Sequence, residues 1–291
     1  MVDEKTIDMI VREVMSQLAM AEQGRSADQN SMPPSAKAEP LRDIADIEEK
    51  RLPLVDFPGD SDELQRMINR TSARIGIGHA GLRLKTKTLL AFRADHACAR
   101  DSVFLDVSEE LIKSLGLFTV QTKCTDKNQY LTRPDLGREF SPETLASLRE
   151  RCTKAPQVQI YAADGLSSRA VEANLPNLLP LLTDGLKAKG ITVGTPFFVK
   201  YGRVGTMEHI SEALGSQVTC VLLGERPGLG SAESMSAYMA YGAKVGMAEA
   251  DRTVVSNIYS GGISAVEAGA YLAELIPKLL EQKTSGVNLK K

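Results

Sequence analysis

In the opening stretch VDEKTIDMIVREVMSQL, Ile7, Ile10, Val11, Val14, Met15 and Leu18 recur three and four residues apart. Asp3, Glu4, Asp8, Arg12 and Gln17 fill much of the opposite face. This spacing predicts an amphipathic helix within residues 1–20. The following AEQGRSADQNSMPPSAKAEP is rich in Ser, Pro, Ala and charge and has almost nothing to bury, which predicts a disordered linker over residues 21–60. A foldable pattern begins near Ser61. Helical periodicity marks Ser61–Arg70, Thr86–Ala99, Ser108–Leu115 and Ser141–Cys152, so residues 61–154 read as mainly helical. The last of these opens with Ser141 as N-cap, Pro142 at the first helical position and Glu143 in the first turn.

From Val158 the pattern changes to short apolar runs, VQIYAAD, ITVGTPFFV, VTCVLL and TVVSN. Helical patterns separate or follow them at Leu175–Lys189, Glu208–Leu214, Ser231–Ala240 and Ser264–Lys283. Continuous apolar strands alternating with helices predict an α/β domain over residues 155–291. Its sheet should be mainly parallel, with flanking helices in a Rossmann-like arrangement.

Composition narrows the function classes. The 291 residues carry a formal net charge of −2 and only 5% aromatics, a balance unlike that of a nucleic-acid binder. No apolar run approaches the ~20 residues of a membrane span, and no signal-peptide core opens the chain. The polar face of the first helix is not enriched in Lys and Arg, so it reads as a terminal or docking helix and not as a membrane anchor. Cys98, Cys124, Cys152 and Cys220 stand singly and far apart, as reduced thiols of an intracellular protein do. His79, His96 and His209 have no partner at metal-ligand spacing, and no metal site is expected.

Candidate chemistry lies at the carboxyl ends of the strands, where open parallel sheets bind ligands. The four runs lead into Asp164-Gly165-Leu166-Ser167, Tyr201-Gly202-Arg203-Val204, Gly224-Glu225-Arg226-Pro227-Gly228 and Ser256-Asn257-Ile258-Tyr259. All are rich in glycine or polar groups, which points to a ligand crevice. A dinucleotide fingerprint fails because its third glycine falls on Glu233, and neither a phosphate-binding P-loop nor a G-x-S-x-G nucleophile elbow is present. Gly261 and Gly262 precede the Ser264 helix and offer N–H groups to an anion. Glu225 and Arg226 either pair with each other or leave the carboxylate to accept hydrogen bonds from a bound cofactor. No catalytic constellation emerges. A cofactor-binding subunit, a nucleotide-dependent dehydrogenase and a noncatalytic scaffold all remain open on these residues alone.

The segments SARIGIGHAGLRLKTKTLLAFRADHACARDSV, DKNQYLTRPDLGR, VGTPFFVKYGRVG, LLGERPGLGSAESMSAY and EADRTVVSNIYSGG carry a more specific signal. From about Ser72 to the C-terminus the chain resembles the small (light) subunit of ethanolamine ammonia-lyase, collinearly and nearly without gaps. The resemblance implies an adenosylcobalamin-dependent radical enzyme that converts ethanolamine to acetaldehyde and ammonia. It also implies a large catalytic subunit as partner, with cobalamin between the two chains and catalytic residues on the large one. The family's cobalamin-contacting positions fall on Val204, Glu225 and Val254. Relatives often have cysteine at the third, so Val254 is a departure consistent with a backbone or van der Waals contact. Proteins that replace the cobalamin base by histidine carry D-x-H-x-x-G, whereas Ile77, Ala94 and Met207 stand two places before the histidines here. No histidine of this chain is therefore expected on cobalt. The location implied is the cytoplasm or a bacterial microcompartment, with the helix of residues 1–20 as a peptide for shell proteins.

Overall fold

Val158–Ala163 is buried at every position, the mark of a strand with both faces covered and both edges paired. The computed structural model describes residues 51–290. The expected helix of residues 1–20 and most of the expected linker lie outside them.

In the helical region, α1 spans Ser61–Asn69, α2 Thr86–Phe104, α3 Glu109–Ser114, α4 Lys127–Thr132 and α5 Pro142–Arg151. Two-residue strands β1 (His79–Ala80) and β2 (Arg83–Leu84) form a small hairpin before α2. The start of α5 follows the sequence: the Ser141 hydroxyl accepts from the N–H of Thr144, with Pro142 inside the first turn. The second half contributes β4 (Val158–Ala163), α6 (Ser168–Ala188), β5 (Phe197–Lys200), α7 (Thr206–Leu214) and β6 (Val218–Gly224). It ends with β7 (Met235–Tyr241), β8 (Thr253–Ile258) and α8 (Ala265–Gln282), with a capping box between Ser264 and Glu267.

A six-stranded sheet has the order β3-β5-β4-β6-β7-β8, where β3 is Phe118–Gln121. The α/β class holds, but the sheet is mixed. β3, β5, β4 and β6 run parallel, and β7 runs antiparallel to both β6 and β8. The difference traces to Ser231–Ala240, whose pattern predicts a helix and which instead contains most of β7. MSAYMAY satisfies both periods. As a strand it buries Met235, Ala237 and Met239 against the helices of one face, and its main chain pairs the otherwise open edge of β6. β3 escapes the sequence pattern because four residues are too few to show alternation.

On one face, α6 and α8 cover the sheet with Leu175, Leu178, Leu182, Leu272, Ile276 and Leu279 over Ile160, Cys220 and Met239. On the other, α5 and α7 pack Leu148, Met207 and Ile210 on Tyr161, Phe197, Val199 and Val221. That second cover thins toward β8, where Val254 is 42% exposed. All four cysteines are free, and Cys124, Cys152 and Cys220 are buried. Burial pushes the Cys152 and Cys220 thiols up to about 11 and about 12, which fits packing residues and not nucleophiles.

Candidate functional site

Two glycines bring the carboxyl ends of β4 and β6 into direct backbone contact. A Cβ on Gly224 would stand 2.2 Å from the carbonyl oxygen of Ser167, and one on Gly165 would stand 2.3 Å from that of Gly224. Gly165 also has a φ of +58°, and the Leu166 N–H donates to the Gly224 carbonyl at 3.0 Å. This close approach fixes where Glu225 leaves the sheet.

The Glu225 carboxylate is bound on its own chain. One oxygen accepts from the Ser234 hydroxyl at 2.7 Å. The other accepts from the Asn257 N–H at 3.1 Å and from the Ser236 hydroxyl. Of the two alternatives for Glu225 and Arg226, the ion pair between them is not the one formed: the carboxylate is held by β7 and by the end of β8. An ionised carboxyl offers about four lone-pair positions, so three donors leave room for about one more.

Glu225 lines an open pocket of about 480 Å³. Val204 and Arg203 from the β5–α7 corner, Tyr130 from α4, and Ser236, Tyr238 and Ser256 from the β7–β8 ribbon complete much of its wall. The structure thus brings Val204 and Glu225 together. Val254 does not line this pocket; it lies on the same sheet face, paired across the ladder with Tyr238 and two residues from Ser256. His79, His96 and His209 are not among the lining residues. Among the described residues no group of three or more His, Cys, Asp or Glu is placed to hold a metal, and no helix is long and apolar enough to cross a membrane.

The anion site expected at Gly261–Gly262 is largely used up internally. The Gly262 N–H donates to the Tyr259 carbonyl and that of Ile263 to the Asn257 carbonyl, while Glu267 accepts from the Ser264 N–H.

Sequence reasoning named Asp164 and Arg203 only among the strand-end residues and did not name Tyr130 or Ser236. Arg203 lies over the Tyr130 ring at 4.5 Å and donates to the Tyr130 carbonyl at 2.7 Å. Its Nε is buried without a partner, an orphaned donor in a residue that lines the pocket. Ser236 was hidden because its strand was read as a helix.

Asp164, at the end of β4, is 1% exposed. Its two oxygens accept from the N–H groups of Tyr201 (2.9 Å) and Gly202 (3.0 Å), and the Lys127 ammonium lies 3.7 Å away. Burial outweighs these partners and raises its carboxyl to about 6. The native state therefore holds a proton between about pH 4 and 6 that the unfolded chain has released. This group's stabilisation is complete below about pH 4 and lost as the pH rises through 6, on the order of 3 kcal/mol. Melting curves of the wild-type and Asp164→Asn chains should therefore differ by an amount that changes between pH 4 and 7, with the wild type losing ground as pH rises. A pH-independent difference would contradict this assignment.

A family model described as ethanolamine ammonia-lyase light chain matches residues 61–290. The chain belongs to the ethanolamine ammonia-lyase light-chain family. The ethanolamine ammonia-lyase small subunit of Clostridium perfringens is 51% identical over 289 residues, spanning 99% of this chain and 93% of that one. The small subunit of Clostridium tetani is 56% identical over 250 residues, 86% of this chain and 85% of the relative. That of Clostridioides difficile is 52% identical over the same length. As a light chain, this protein is one subunit of a carbon–nitrogen lyase and implies a large-subunit partner. The dehydrogenase alternative left open by the residues is thereby set aside.

Proposed function

We propose that this light chain supplies one wall of an adenosylcobalamin site in an ethanolamine ammonia-lyase and that the large subunit supplies the other. Val204 and Glu225 contact the cofactor within the pocket, and Val254 adds an apolar surface beside it. The observation that carries this reading is the pairing of unspent polar capacity on one wall: an acceptor position left on Glu225 and the orphaned Nε–H of Arg203.

The rim of a corrinoid carries primary amides, each with N–H donors and a carbonyl acceptor. Glu225 suits the donors and Arg203 suits a carbonyl, so the residues present fit such a group. The pocket is smaller than a complete adenosylcobalamin, as expected of a surface that a second chain must complete. Bound adenosylcobalamin supplies the radical chemistry that opens the conversion of ethanolamine to acetaldehyde and ammonia. This chain's residues then bind and orient: Glu225 fixes the amide rim, the serines on either side keep its carboxylate aimed, and Tyr238 and Val254 exclude water from the sheet face.

The test is to express this chain with and without an ethanolamine ammonia-lyase large subunit and record the visible spectrum after purification. Cobalamin retention and ammonia release should require both chains. Undiminished retention by the large subunit alone would defeat the proposal, as would tight nicotinamide binding by the lone light chain.

A further inference from the structure

Tyr201 has a φ of +58°, a left-handed conformation that a bulky aromatic residue rarely adopts. It opens the corner between β5 and α7 that carries Arg203 and Val204. The next residue, Gly202, tolerates no side chain, because its Cβ would stand 2.8 Å from that of Ala163. The bend is held, and Asp164 restrains it directly. Both carboxylate oxygens are engaged by consecutive N–H groups of the corner, those of Tyr201 and Gly202.

The carbonyls of the same two residues are tied down by the segment that follows β3 and by α4. Thr122 donates to the Tyr201 carbonyl at 3.0 Å, and the Tyr130 hydroxyl donates to that of Gly202 at 3.2 Å. The Arg203 N–H donates to the Gly137 carbonyl at 3.0 Å.

We propose that Asp164 is a positioning residue, whose grip on the Tyr201 and Gly202 amides sets the corner that presents Arg203 and Val204 to the cofactor. This rests on the reading of the pocket as a cobalamin wall. Asp164 itself lines no part of the pocket that holds Glu225, so it acts through the corner and not by contact.

Several groups face this carboxyl. Lys127 and Tyr130 approach from α4, Cys124 from the segment before it, the Tyr201 phenol from the corner, and Asp106 and Lys200 stand beyond Lys127. Lys127 also lies over the rings of Tyr130 and Tyr201, at 5.7 and 5.3 Å. Each oxygen accepts a single N–H and keeps a second lone pair, so the carboxyl can hold the corner in either protonation state.

The test compares wild type with Asp164→Asn in the cofactor-free enzyme assembled with its large subunit. The amide keeps one acceptor and turns N–H groups toward a backbone donor and the Lys127 ammonium. Hydrogen exchange of the amides of residues 201–205 should quicken about tenfold while those of β6 keep their rates, a local opening and not a global one. Cobalamin should bind about tenfold more weakly, as for the loss of one charge-assisted hydrogen bond, with the KM for ethanolamine unchanged.

Unchanged exchange in the corner would overturn the positioning role. A loosened corner with cobalamin affinity intact would leave the grip standing and overturn the placement of the cofactor against it. Should the variant fail to assemble, Asp164→Glu, which keeps both acceptor oxygens on a longer arm, answers instead: exchange of the Tyr201 and Gly202 amides relative to β6 should quicken severalfold. Constant relative protection would reject the proposal.

Discussion

Replacing Glu225 by Ala should weaken cobalamin retention by the assembled enzyme about 10- to 100-fold, the range for one lost hydrogen bond to a charged group. The same substitution strips acceptors from Ser234, Ser236 and the Asn257 N–H, and Ser236 is only 1% exposed. Some of the loss will therefore come from a disturbed β7–β8 edge. Glu225→Gln separates the two effects. Its carbonyl oxygen still accepts two bonds, and the Ser234 hydroxyl can rotate to accept from the new amide, so the fold should keep its melting temperature. What the glutamine lacks is the negative charge and the spare acceptor. Equilibrium titration of the cofactor should find Glu225→Gln well below wild type and above Glu225→Ala. If both variants bound as wild type does, Glu225 would not contact cobalamin.

Gly224→Ala should be among the most damaging single methyls in the described chain. Its Cβ would lie 2.2 Å from the Ser167 carbonyl oxygen and 2.6 Å from that of Asp164. Both obstacles are backbone, and Ser167 also caps α6 by accepting from the Ala170 N–H at 3.1 Å. The methyl can be housed only by parting the β4–α6 turn from the end of β6. Overpacking of this kind costs about 3 kcal/mol, which corresponds to a fall of roughly 6–12 °C in melting temperature for a domain of this size. Differential scanning calorimetry reads it directly. A variant melting within a degree or two of wild type would mean that the two strand ends are not in contact.

Legibility of the fold followed the physics of each segment. Runs that are buried on both faces, such as Val158–Ala163 and Val218–Gly224, announce themselves because they are apolar apart from one polar residue each, Gln159 and Thr219. The α5 and α8 starts were readable since capping is decided by side chains a few residues apart. β7 was not. Its small and flexible residues fit either period, and the deciding factor, the open edge of β6, is a long-range property that no local window contains. The misreading of β7 carried over to the site, because the direction of the sheet turns at that strand.

For the site, glycines and polar residues at strand ends pointed to one rim, and on it Val204 and Glu225 share a pocket. What the strand ends could not reveal was how Glu225 is kept in place. Its holders, Ser234, Ser236 and Asn257, are 9, 11 and 32 residues away in sequence. Nor does a linear pattern disclose that Asp164 turns inward to a neighbouring loop. A buried aspartate at the end of a strand looks like any other turn residue until the φ of Tyr201 is known.

One side of the sheet is covered by α6 and α8 from β4 across to β8, but on the opposite side the roof stops short of β8. A guest lying on that bare strip is sheltered only while a second chain lies over it. Guest and second chain then strengthen each other by the same factor, since the coupling between two binding events is reciprocal. If the guest is the proposed cobalamin, diluting the enzyme would shed it and removing it would loosen the pair, without any hinge or lid in the described residues having to move.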